Sequence, residues 1–112
     1  MNTFYRIANP TTNNGLWYDM QGGFTGLIHG RYDFCAASEL YMPFDPELTG
    51  FLSAADSLEH LLTWFPMADI QRLQAEGYRV QVYEAADFKH YAPFQHNVIN
   101  QQTSRLVSTI AL

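Results

Sequence analysis

The sequence predicts an α+β domain: a mostly antiparallel sheet of about five to six short strands packed on a helical hairpin at about residues 53–76. Three observations predict it. Leu58, Leu61, Leu62 and Phe65 recur at the spacing of one helical face, and Met67, Ile70 and Leu73 continue an apolar stripe past Pro66. Residues 78–85 (YRVQVYEA) alternate as a strand does. Most of the remaining chain breaks into short aromatic and β-branched runs bounded by turn formers. With 112 residues, the whole of 1–112 is expected to form a single domain, large enough to bury its own core.

Taken in order, residues 3–8 (TFYRIA) predict a first strand that Pro10 stops, and residues 9–15 (NPTTNNG) predict a turn. Residues 16–20 and 24–29 predict a hairpin in which Gly22 and Gly23 supply the positive φ of the connection. Residues 30–49 hold no sustained period, and Pro43 and Pro46 break their end, so an irregular aromatic-rich connection is expected. Ser53 is then read as the N-cap of the first helix, with Asp56 in the capping-box position. Pro66 ends that helix and suits the first turn of the next, and Gly77 suits its C-terminal cap. In the strand that follows, Tyr78, Val80 and Val82 share one face, while Arg79, Gln81 and Tyr83 share the other. Residues 86–95 are expected as a loop, and residues 97–102 and 105–112 as two closing strands.

Composition narrows the function classes. Eleven acids against six bases give a net charge of -5, and Lys89 is the one lysine. A grip on a phosphate backbone needs clustered Lys and Arg, so nucleic acid is not expected as a direct ligand; neither is an anionic membrane surface. No stretch approaches the length of a membrane-spanning helix, the first residues carry no secretory pattern, and Cys35 is a lone cysteine. A cytoplasmic location is expected. At 47% hydrophobic against 15% charged residues, the chain is not of the disordered class.

Motifs for catalysis are sparse. His29, His60, His90 and His96 lack metal-ligand spacing, so no metal site is expected, and His60 is read as facing solvent beside Glu59. Cys35, between Phe34 and Ala36, reads as a small buried hydrophobe. The glycines at 22, 23 and 26 precede strand-like residues and not a helix, which argues against a phosphate loop. Glu39, Asp45 and Glu47 fall near the long connection with no fixed separation between them. The aromatics remain: eight Phe, seven Tyr and two Trp are more than a small domain buries easily. Trp17, Tyr18, Tyr32, Tyr41 and Phe44 are the expected anchors for a protein partner.

Tyr5-Arg6 on an early strand, Phe51-Leu52-Ser53 leading into an amphipathic helix, a Tyr-rich strand after it and strands at the end together resemble the ADP-ribosyltransferase-like fold. The resemblance implies that Arg6 faces the diphosphate or ribose of NAD, a role that suits a bidentate donor, and that Ser53 occupies the serine position of that family. The family's late-strand Glu is missing, because residues 98–112 hold no Glu or Asp; Gln101 and Gln102 stand nearest to its place. The small, acidic, Lys-poor chain also resembles phage-encoded anti-defence proteins of the anti-CRISPR kind. Two functions are therefore expected. One is a non-catalytic interaction protein, a phage-type inhibitor of a host defence or regulatory complex. The alternative is an NAD-binding mono-ADP-ribosyltransferase-like enzyme or inactive relative built on Arg6, Ser53 and Gln101 or Gln102. A homo-oligomeric structural subunit is the blander outcome.

Overall fold

The structure, a computed structural model, describes residues 2–11, 15–16, 34–35, 51–91 and 96–112. Among them run β1 (Asn2–Ala8), β2 (Phe51–Ala54), α1 (Leu58–Trp64), α2 (Met67–Ala75), β3 (Arg79–Ala85), β4 (Phe88–Tyr91), β5 (His96–Asn100) and β6 (Arg105–Ile110). The strands form two three-stranded antiparallel sheets, in the orders β1-β3-β6 and β2-β5-β4. This is the α+β architecture the sequence predicts, with the strands divided between two sheets. No described helix is long and apolar enough to cross a membrane.

β3 is the axis of the first sheet. It pairs with β1 from Asn2↔Ala85 to Ala8↔Arg79, and with β6 on its other edge. Its two faces meet different layers. Val80 packs with Ile7, Leu61, Phe65, Ile70, Leu73 and Tyr78, which is the helix face. Tyr83 and Ala85 pack with Phe4 and with Leu52, Ala54 and Ile99 of the second sheet, which is the inter-sheet face. Each large side chain fully buried in these clusters contributes about 1.5–3 kcal/mol of transfer free energy. The sheets are joined where Tyr5 and Ala55 exchange backbone hydrogen bonds of 2.8 and 2.7 Å.

The helical hairpin starts later than the sequence predicts. Phe51–Ala54 is strand β2, paired with Asn97 to Asn100 of β5, and Ser53 sits opposite Val98. Ser53 is therefore a strand residue and not a helix cap. The cap is Ser57, whose hydroxyl accepts the His60 N–H at 3.0 Å. Burial decides between the two serines: Leu52 and Ala54 fill the inter-sheet cluster, and only strand alternation turns both inward. His60 is half-buried and not solvated as expected. Its Nδ1 lies 3.2 Å from Asp56 Oδ1, and its ring tilts against Trp64 with centroids 4.8 Å apart.

Pro66 caps α2 and accepts the N–H groups of Asp69 and Ile70 through its carbonyl. The helix ends in a Schellman arrangement: Tyr78 N–H reaches Leu73 O and Gly77 N–H reaches Gln74 O, both at 3.1 Å. Gly77 takes φ +99°, a conformation that costs a residue with a Cβ about 1–2 kcal/mol. Gln74 also holds the end of the chain. Its Oε1 accepts Leu112 N–H at 2.7 Å and its Nε2 donates to Leu112 O at 3.1 Å.

Residues 86–95, expected as a loop, contain β4, which pairs with β5 from Phe88↔Ile99 to Tyr91↔His96. Phe88 anchors it, with its ring centroid 5.0 Å from that of Phe4. β5 ends at Asn100, two residues before the expected strand does, where a turn begins that Asp87 and Asn100 brace. The expected hairpin at 16–29 and connection at 30–49 lie outside the described residues, apart from Leu16, Phe34 and Cys35, and Leu16 and Cys35 are buried.

Candidate functional site

Three polar or charged residues are buried among the described ones: Arg6 (4% exposed), Gln81 (1%) and Asn97 (7%). They lie in one band. Arg6 is directly opposite Gln81 in the β1–β3 ladder, so their side chains leave the sheet on one face. That face is the inter-sheet one, because Phe4 and Tyr83, two residues away on the same strands, belong to its apolar cluster. Asn97 is opposite Ala54, and Ala54 and Leu52 belong to the same cluster. The Tyr5–Ala55 bridge sets the register between the sheets, so that Arg6 and Ala54 are each one step from it on strands running in opposite directions. The band thus crosses β3, β1, β2 and β5, and His90, exposed and opposite Asn97, stands at its rim.

The band lies beside the apolar cluster of Phe4, Leu52, Tyr83 and Ile99. Burying a guanidinium costs several kcal/mol unless charge and hydrogen bonds compensate it. Arg6 has partners within the fold, although its Nε makes no hydrogen bond. Gly15 passes directly over it: a Cβ at that residue would stand 3.2 Å from Arg6 Nη2. Gln81 accepts the Tyr83 hydroxyl at Oε1, 3.3 Å away. No Asp or Glu of the described strands shares this face, since Glu84 alternates away from Tyr83 and Ala85 and pairs with Arg105 at 3.3 Å. Among the described residues the band therefore holds one positive charge and two neutral carboxamides; Arg79, one step beyond Gln81 on the same face, instead donates to Gln74 O and Tyr78 O at the end of α2.

The residues expected at the site divide accordingly. Arg6 is on the band. Ser53 alternates to the opposite face from Leu52 and Ala54 and is half-buried there. Gln101 and Gln102 are exposed in the turn after β5. Gln101 follows Asn97 by four residues, about 13 Å along an extended strand, which is outside hydrogen-bond reach of the Arg6 end. The structure does not bring Ser53, Gln101 or Gln102 together with Arg6. Gln81 and Asn97 take part instead, and sequence reasoning missed both. The available signal was a lone polar residue set between apolar ones in a strand, as with Gln81 between Val80 and Val82. Trp17, Tyr18, Tyr32, Tyr41 and Phe44 lie outside the described residues.

The described residues contain no group of three or more His, Cys, Asp or Glu able to hold a metal ion. As a chemical device the band is one guanidinium flanked by carboxamides, all closed off from solvent. Among the described residues it offers neither a carboxylate to stabilise a developing cation nor a paired nucleophile and base. Compared with models of protein families, with curated proteins and with solved structures, the chain matches none of them.

Proposed function

We propose that the protein is an NAD-binding module, similar to the ADP-ribosyltransferases, that holds the dinucleotide without transferring ADP-ribose. The observation that carries this reading is the buried band of Arg6, Gln81 and Asn97 on the inter-sheet face, which lacks any described carboxylate. A buried guanidinium on a regular strand is held in one geometry, which suits a fixed contact to phosphate or ribose oxygens. The resemblance that assigns NAD to Arg6 also asks for a serine on a mid-chain strand ahead of a helix; Ser53 on β2, ahead of α1, supports it. The missing late carboxylate supports binding over turnover, because an amide does not stabilise an oxocarbenium-like centre comparably. Calorimetry with NAD tests the reading. The expected result is saturable binding that Arg6→Ala weakens by at least about tenfold, the scale of a lost charged hydrogen bond, with no release of nicotinamide. Absence of binding to the folded wild type would overturn it.

A second reading, the non-catalytic interaction protein, draws support from β6. Leu106 and Val107 are each 46% exposed on an edge strand whose register shifts at this point. Paired exposed aliphatics on a strand at the edge of the described sheet suit a protein partner, a host defence or regulatory complex in the phage-type case. Stoichiometric capture of one bacterial protein, lost on Leu106→Ser, is the expected result; equal capture by wild type and variant would count against β6 as the surface.

A further inference from the structure

We draw no further inference here: the strongest candidate, the exposed Leu106 and Val107 side chains where β6 shifts register against β3, is a surface patch that already carries the second reading, and nothing in the structure shows what covers it.

Discussion

The two faces of the β1-β3-β6 sheet are built from the same three strands and solve different problems. On the helix face, Ile7 and Val80 meet Leu61, Phe65, Ile70 and Leu73 in a cluster built from hydrophobic side chains. On the inter-sheet face, Phe4, Tyr83 and Ala85 continue the apolar pattern, then Arg6 and Gln81 interrupt it one step along the same strands. An apolar face needs only volume and shape to hold together. A buried cation and two carboxamides need partners, and they add little stability over apolar residues of the same size. The difference teaches that the helix face serves folding, while the inter-sheet face carries a feature that folding alone does not require.

Four substitutions sharpen that contrast, and the largest effect lies on the helix face. Leu73→Ala, at a fully buried position between α2 and the sheet, is expected to cost about 2–5 kcal/mol in urea unfolding and to leave ligand affinity untouched in the folded fraction. A loss under about 1 kcal/mol would show that this layer is loosely packed. On the other face, Gly15→Ala places a methyl 3.2 Å from Arg6 Nη2 and 3.5 Å from Ile7 O. The expected cost is about 1–3 kcal/mol of overpacking, and under the proposed NAD reading affinity is expected to fall as well, because the guanidinium must move. A variant that melts early but binds as the wild type does would separate Arg6 from the site.

The smallest effect concerns the entry to the helical layer. Ser57→Ala is expected to cost about 1 kcal/mol, the usual value of an N-cap. Ser53→Ala, half-buried on β2, is expected to stay within about 0.5 kcal/mol. Equal losses in paired chemical melts would move the helix start back toward residue 53.

The same contrast explains how much was legible in the sequence. The helix face was, because Leu58, Leu61, Phe65, Ile70 and Leu73 announce their period and Gly77 marks where it ends. The strands at 3–8 and 78–85 were legible for the same reason, since their alternation is local. β2 was not. Ser53 and Ser57 both stand ahead of the leucine stripe as capping residues, and only pairing with β5, more than 40 residues away, selects Ser57. β4 was hidden by its polar Lys89 and His90 and by Pro93, and it is held by the ring of Phe4 from the far end of the chain. At the candidate site, Arg6 stood out as a lone cation on an early strand. Gln81 and Asn97 did not, because their meaning depends on which strands become neighbours.

The amide clamp at Gln74 bears on how the molecule carries load. Among the described strands β6 lies at an edge, paired with β3 alone, and a strand at an edge peels one hydrogen bond at a time when pulled from its end. Gln74 bonds both the N–H and the C=O of Leu112, so a force applied at residue 112 meets helix α2 before it reaches the ladder. The first event under tension is then the rupture of two parallel bonds together and not a gradual unzipping. The last residue is thus tied to the helical layer as well as to the sheet.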